Sequence, residues 1–169
     1  MRKDRKRTMR MTQAAMIAAV YVILTFLANA FGLANYAIQV RFSEALTILP
    51  YFTPAAIPGL FVGCLLSNLL TGCMPLDVLF GSIATLIGAV GTYLLRKNRY
   101  LAPLPPILAN TLTVPFILSY VYQFEGSIPY FMITVGIGEI ISCGVLGMTL
   151  LLLLDRYRGH GSHEGGWLA

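Results

Sequence analysis

Long apolar runs separated by short polar stretches dominate the chain. No ionised side chain interrupts the run from Met11 to Leu33, and further apolar runs cover roughly 45–70, 76–95, 104–123 and 128–154. A bilayer core of about 30 Å needs about 20 helical residues. Each run is long enough for a membrane helix, so the pattern predicts an all-α integral membrane protein.

The second run is interrupted by three prolines at intervals of four, from Pro50 to Pro58. Proline disrupts helix interiors, so this spacing predicts a turn between a short helix at about 44–52 and another at about 55–70. Nine α-helical residues rise only about 14 Å. The segment from Tyr36 to Phe42 is therefore expected to fold over or into the bundle, where protein covers its backbone.

Basic residues form three clusters outside these runs. Six of the twelve Lys and Arg residues precede Met11, three lie within 96–99, and Arg156 and Arg158 follow the last run. Basic residues beside membrane helices mark the cytoplasmic side, so an even number of helices should separate the clusters. This placement favours a topology signal over a nucleic-acid-binding surface, and a solubilising tail is the alternative for the first cluster.

Charge parity thus predicts a six-helix bundle with cytoplasmic N- and C-termini. Residues 1–10 form a basic cytoplasmic segment, 11–155 a six-helix transmembrane domain, and 156–169 a cytoplasmic tail that is expected to be disordered. Hydrophobic residues make up 57% of the chain and charged residues 11%, against about 45–50% and about 25% in soluble domains. The composition excludes a soluble globule and indicates a multi-pass protein of the cell membrane.

Polar side chains inside the predicted bundle concentrate in its outer half. Glu139 lies about eleven residues into the last helix, hence about 16 Å deep and close to the midplane. An ionised group at that depth costs about 2.5–3.5 kcal/mol, so it needs a partner or a purpose. The distribution predicts a solute-binding cup open to the outside, with these candidate residues: Glu139, Asp77, Glu44, Asn68, Arg41, Asn110, Gln39 and Tyr36.

Most of these residues have a purely structural alternative. Arg41 and Glu44, three residues apart, can pair with each other. Asp77 can lie at the N-terminus of its helix simply because the helix macrodipole stabilises an anion there. Asn68 and Asn110 can serve as hydrogen-bonding contacts between helices. No such explanation applies to Glu139.

Small residues form a second feature in the first helix. Two overlapping small-x-x-x-small pairs allow close approach of another helix, and they predict either a partner-docking face or packing within the bundle: Ala14, Ala15, Ala18 and Ala19. Asn29 ranks below the other polar candidates because it lies within about 40° of Ala15 and Ala18 on the helical wheel. The similar pair Gly59 and Gly63 is interpreted as internal packing.

Motifs of catalysis are missing from the sequence. It has no phosphate-binding loop, no nucleophile elbow and no His or Cys at metal-ligand spacing within the apolar runs, so no cofactor, metal site or catalytic residue is predicted. Cys64, Cys73 and Cys143 are interpreted as packing cysteines. A chain that can bind a solute but has no motif for driving its transport implies that a separate protein supplies the energy.

Resemblance to a known family rests on the alanine-rich first helix, on Gln39–Gly63 (QVRFSEALTILPYFTPAAIPGLFVG), and on Ser67-Asn68 followed by Pro75–Ser82 (PLDVLFGS). These features resemble the substrate-binding S components of energy-coupling factor (ECF) transporters, and within them the QueT-like group associated with queuosine precursors. The resemblance covers roughly Met11 to Asp155.

The resemblance implies six helices, an outward solute site closed by loops, and docking on a transmembrane coupling protein with two cytoplasmic ATPases. It assigns the coupling-protein contact to the four alanines. The implied solute is a 7-deazaguanine, whether a nitrile, an aminomethyl compound or queuine. For such a base we predict that Glu139 accepts N1–H and the exocyclic amine, that Glu44 or Asp77 pairs with an ammonium group, and that aromatic residues such as Tyr36, Phe42 and Phe80 stack on the ring.

Two other functions remain alternatives from the residues alone. One is a membrane-embedded enzyme that uses Glu139 and Asp77 as acid/base or metal-binding carboxylates. The other is a bundle that acts only as an assembly subunit, which would leave three carboxylates in the outer half of the bundle unexplained.

Overall fold

The computed structural model describes residues 2–33 and 40–160. Within these residues the chain is helical and has no β-strand. The elements are α1 (Arg2–Ala30), a 3-10 helix (Phe42–Tyr51), α2 (Ala56–Leu70), α3 (Pro75–Leu94), a 3-10 turn (Arg99–Leu101), α4 (Leu104–Phe116) with a π-helical extension (Ile117–Val121), and α5 (Ile128–Glu139), which continues through a π-helical stretch (Ile140–Gly147) into α6 (Met148–His160). The all-α prediction is confirmed.

Four helical stretches of the described chain are long and apolar enough to cross a membrane. They are Asp4–Ala30, Pro75–Leu94, Arg99–Val121 and Ile128–Arg158, and Ala56–Leu70 is a shorter apolar helix. The first stretch begins earlier than the predicted Met11, because the basic residues before Met11 continue the helix.

Successive elements run in alternating directions between two ends of the bundle. Thr25 near the end of α1 donates to Ser43 at the start of the 3-10 helix (2.9 Å), and Thr53 beyond that helix donates back to Gln13 (3.5 Å). Gly59 near the start of α2 then lies beside Ala14, and Gly63 lies beside Ala18, so α2 runs in the same direction as α1. We call the end with Ala30 and Leu70 the pocket end. The opposite end, which carries Arg10, Arg96 and Arg158, is the basic end.

The short helix after α1 is present, but its geometry differs from the prediction. It is wound as a 3-10 helix of ten residues, which rises about 20 Å rather than the 14–15 Å of the α form. Its buried positions include Glu44, Thr47 and Ile48, so the surrounding helices cover it. The predicted proline turn between it and α2 is confirmed. Residues 36–39 of the predicted covering segment, Tyr36 to Phe42, lie outside the described residues.

Glycines bring the helices of the basic half into close contact. A Cβ at Gly63 would lie 2.8 Å from Tyr21 Cβ, and one at Gly59 would lie 2.7 Å from the Ala14 carbonyl oxygen. On the other side of the bundle, a Cβ at Gly88 would lie 2.7 Å from Pro106 Cα. Backbones can approach this closely only where the side chain is absent. The interpretation of Gly59 and Gly63 as internal packing is confirmed.

Candidate functional site

A cavity of about 720 Å³ lies at the pocket end. Five parts of the chain line it: α1, the start of the 3-10 helix, the α2–α3 junction, the end of α4 and the segment that leads into α5. The lining side chains are Thr25, Ala28, Asn29, Arg41, Asn68, Thr71, Cys73, Asp77, Val114, Ile117, Leu118, Tyr122, Phe124, Glu125, Tyr130 and Phe131. The volume falls within the roughly 300–1,000 Å³ of small-molecule sites, so the cavity can hold a purine-sized solute.

Asp77 is the carboxylate that α3 presents to this cavity. It lies in the first turn of α3, which begins at Pro75, where the helix dipole favours an anion. Its Oδ1 and the Asn68 Nδ2 each lie 3.3 Å from the position that a Cβ of Gly81 would occupy. Gly81 thus leaves room for a carboxylate and an amide side by side on one wall.

Tyr122 clamps the segment that leads into α5, residues 122–127, to the wall that carries Asp77. Its hydroxyl donates to Asp77 Oδ2 (2.8 Å) and accepts from the backbone N–H of Met74 (3.2 Å). Burial, reinforced by the hydrogen bond and charge of Asp77, raises the pKa of the Tyr122 phenol, so this hydroxyl stays protonated and keeps donating. The next residue, Gln123, has a φ of 52°, which marks a tight turn after the clamp.

A buried polar cluster lies deeper in the bundle. Asn110 Nδ2 donates to Glu139 Oε1 (3.0 Å) and to Glu44 Oε2 (3.4 Å). Tyr21 donates to Glu44 Oε1, and the Cys143 thiol donates to Glu139 Oε2 (3.2 Å). Each of the four carboxylate oxygens therefore has a protein donor. This network explains how two buried carboxylates are accommodated among apolar helices.

The same cluster places possible metal ligands close together. One ligand atom from each of Glu44, Glu139 and Cys143 lies within 4.8 Å of the others. Glu139 and Cys143 are four residues apart on the helix that continues from α5, and no metal site was predicted from this pair. Asp77, the partner of Glu139 in the enzyme hypothesis, is not a member of this group.

A small cavity of about 20 Å³ lies between the buried cluster and the large cavity. Arg41, Asp77 and Val114 line both cavities, whereas Glu44, Asn110 and Glu139 line only the small one. The predicted polar residues therefore form two levels. One level lines the large cavity and is accessible, and the other lines only the small cavity and is buried deeper in the bundle.

The predicted solute-binding residues divide between these levels. Arg41, Asn68 and Asp77 line the large cavity, and Glu44, Asn110 and Glu139 lie below it. Tyr36 and Gln39 lie outside the described residues. Arg41 and Glu44 were expected to pair as one alternative, but the hydrogen-bonding partners of the Glu44 carboxylate are Tyr21 and Asn110.

Two expectations about individual side chains were wrong. Asn29 lines the cavity although it was ranked low, because the helix face that it shares with Ala18 is turned inward rather than toward a partner. Phe80 is 46% exposed and lines neither the large nor the small cavity. The aromatic side chains that line the large cavity come instead from the segment 122–127 and from α5: Tyr122, Phe124, Tyr130 and Phe131.

The four alanines of α1 fall on two different faces. Ala14 and Ala18 pack against Gly59 and Gly63 of α2, and Ala18 is 7% exposed. Ala15 and Ala19 are exposed. Only one of the two small-residue pairs is therefore available to a partner in this structure.

Several site residues had no signal in the sequence. Tyr21, Tyr122 and Cys143 each resemble ordinary packing residues of a membrane helix, and their roles depend on neighbours more than 20 residues away or on a π-helical stretch. That stretch follows Glu139 directly and places Ser142 where its hydroxyl accepts from the Arg41 backbone N–H (3.1 Å). Wide π turns are frequent at functional sites, but the residues that form this one are not distinctive.

Comparison with known proteins assigns the family. A profile of the QueT transporter family matches residues 11–156. The queuosine precursor transporter QueT of Lactococcus lactis subsp. cremoris (strain MG1363) is 36% identical over 73 residues, which cover 43% of this chain and 43% of that relative. No solved structure matches the chain. The family match includes all the residues that line the large and the small cavity, and on this basis the chain is a multi-pass membrane protein that belongs to the QueT transporter family.

Proposed function

We propose that this protein is the substrate-binding S component of an ATP-driven ECF importer. It captures a queuosine precursor of the 7-deazaguanine class in the cavity at the pocket end, and a separate coupling protein with two cytoplasmic ATPases drives delivery. The observation that carries the proposal is the placement of Arg41, Asn68 and Asp77 around one solute-sized cavity at the pocket end, opposite the glycine-packed basic end.

The orientation follows from charge. The 3-10 helix and α2 each traverse the bundle, so six traversals separate the start of α1 from the end of α6. The Arg158 guanidinium lies 6.0 Å from the centre of the Phe52 ring, and Arg99 pairs with Asp155 (3.9 Å), which supports a common basic end. With that end cytoplasmic, both termini are cytoplasmic and the cavity faces outward.

The chemistry of the cavity suits a guanine-like base. N1–H and the exocyclic amine present two adjacent donors, which a carboxylate can accept together. Of the three carboxylates predicted to bind solute, Asp77 is the one that lines the large cavity, so we assign it this role in place of Glu139. Asn68 can serve the ring nitrogens, Arg41 the carbonyl oxygen, and Tyr122 can offer its ring for stacking.

Docking uses the exposed alanine pair. Ala15 and Ala19 form one small-x-x-x-small step on the outer face of α1, where a helix of a coupling protein can approach closely. Ala14 and Ala18 contribute indirectly, because they hold α1 against α2.

The test measures uptake and assembly together. Cells that express the protein with and without a coupling protein and ATPases are given a labelled 7-deazaguanine, and the tagged chain is purified from each. The proposal predicts ATP-dependent uptake only in the complete set and co-purification of the ATPases with the chain. Uptake by this chain alone would contradict the assignment as an S component.

A further inference from the structure

A second cavity, of about 870 Å³, lies at the basic end between the start of α1 and the proline turn that precedes α2. It shares no lining residue with the solute cavity. Nothing in the proposed import cycle uses it. We call it the basic groove.

One wall of the basic groove carries positive charge. Lys6, Arg7 and Arg10 line it together with Asp4, so three cations and one carboxylate leave it positive. Lys6 and Arg7 are four and three residues before Arg10, which places all three along neighbouring turns of one helix face. All three side chains are exposed, so a charged group can reach them from solvent or from the lipid head groups.

The remaining walls are apolar and lie further along α1. Met11 and Ala14 continue the groove on α1, and Pro54 and Pro58 face them from the turn and the first part of α2. Proline has no N–H to offer. The groove therefore changes from cationic to apolar in the direction that leads into the membrane.

The depth of the groove agrees with this gradient. The part of α1 from Asp4 to Ala30 spans 27 residues, whereas about 20 are enough to cross the hydrocarbon core. The extra turns at its start place Lys6, Arg7 and Arg10 at the level of the lipid head groups. The occupant must therefore combine an anionic group at that level with an apolar portion below it.

We infer that the basic groove binds an anionic phospholipid of the leaflet at the basic end. Its phosphate lies against Lys6, Arg7 and Arg10, and the upper part of an acyl chain lies against Met11 and the two prolines. An acidic protein segment meets the charge but not the apolar lower half, so lipid is the better fit. The bound lipid would brace α1 against α2 beside the Ala14–Gly59 contact.

The experiment uses the purified full chain, delipidated in a neutral detergent. Phosphatidylglycerol or phosphatidylcholine is added, and retained lipid is counted by native mass spectrometry while unfolding is followed by heating. Arg7→Gln with Arg10→Gln removes two groove cations. Arg96→Gln with Lys97→Gln is the matched control, because it removes two cations from the same end but outside the groove. The affinity for solute is measured in parallel to show that each variant is folded.

We expect the wild type to retain one phosphatidylglycerol in preference to phosphatidylcholine and to melt at a higher temperature with it. At about 1 kcal/mol for each basic residue near a lipid surface, the groove variant should bind phosphatidylglycerol roughly 30-fold more weakly, whereas the control keeps its affinity. Equal losses in both variants, or no preference for the anionic lipid, would overturn the proposal. Retained lipid in the groove variant together with loss of ATPase co-purification would show a protein interface instead.

Discussion

The pocket end and the basic end of the bundle differ in the side chains that lie between their helices. At the pocket end, polar and aromatic side chains surround a cavity of about 720 Å³. Toward the basic end, Gly59, Gly63 and Gly88 let backbones approach so closely that a Cβ at any of them would lie under 3.0 Å from a neighbouring heavy atom. One half is shaped to hold a solute, and in the other the helices are in close backbone contact at these glycines.

This difference bears on how a solute could pass. Passage through this chain alone would require the glycine-packed contacts to separate, which costs packing at several sites together. A binding cavity above a tightly packed half instead fits a subunit that captures solute and depends on partners for delivery. Four variants test the contrast, beginning with the largest expected effect.

Gly63→Leu should destabilise the protein most. A Cβ there lies 2.8 Å from Tyr21 Cβ and 3.1 Å from Ala18 Cα, so a larger side chain must push α1 away from α2. Overpacking of this kind typically costs about 1–3 kcal/mol, and more where backbone must move. Thermal unfolding in detergent measures it. Gly144→Ala is the matched control, because its nearest neighbours lie at 3.7 and 3.9 Å; equal destabilisation of both would show that the close packing is not special.

Asp77→Asn should weaken solute binding most while the fold remains intact. The change keeps size but places an amide donor opposite the donors of the base. Loss of a charge-assisted hydrogen bond costs about 1.5–3 kcal/mol, roughly a ten- to 150-fold loss of affinity. Calorimetric titration measures this, and an unchanged affinity would remove Asp77 from the recognition site.

Tyr122→Phe should have a smaller effect. It keeps the ring beside the cavity but removes the hydroxyl that joins Met74 to Asp77. One hydrogen bond of this kind contributes about 0.5–1.5 kcal/mol, so affinity should fall roughly two- to twelvefold. Stopped-flow kinetics should assign most of the loss to faster dissociation, since the segment 122–127 is no longer tied to Asp77. A loss confined to the association rate would contradict the role of Tyr122 as a clamp.

Glu139→Gln should change solute affinity least, by less than about threefold. The glutamine oxygen can still accept from Asn110, and a neutral amide is cheaper to bury than a carboxylate, so the melting temperature should not fall much. The same titration provides the comparison with Asp77→Asn. A larger loss for Glu139→Gln would restore Glu139 as the carboxylate that contacts the base.

The sequence predicted the helices well and the site only partly. Apolar runs and the Pro50–Pro58 spacing act locally, so they located each helix to within a few residues, apart from the start of α1 and the end of α6, which continues to His160 where a disordered tail was predicted. The depth of Glu139 showed that a buried carboxylate needed partners. It could not show that Asn110 and Cys143 would supply them, because that depends on the relative rotation of separate helices. The split of the alanines has the same cause: neither pair differs locally, and only contact with Gly59 and Gly63 decides which one faces α2.

The claim that solute capture and coupling use different surfaces is tested most directly by titration. The purified chain, without coupling protein or ATPases, is titrated with a 7-deazaguanine. The variant Ala15→Leu with Ala19→Leu is titrated beside the wild type, and uptake by cells carrying the complete transporter is recorded for both. We predict saturable binding of equal affinity in the two proteins, with uptake lost in the variant, since capture and coupling use different surfaces. No binding by the wild type, or loss of binding along with uptake in the alanine variant, would contradict it.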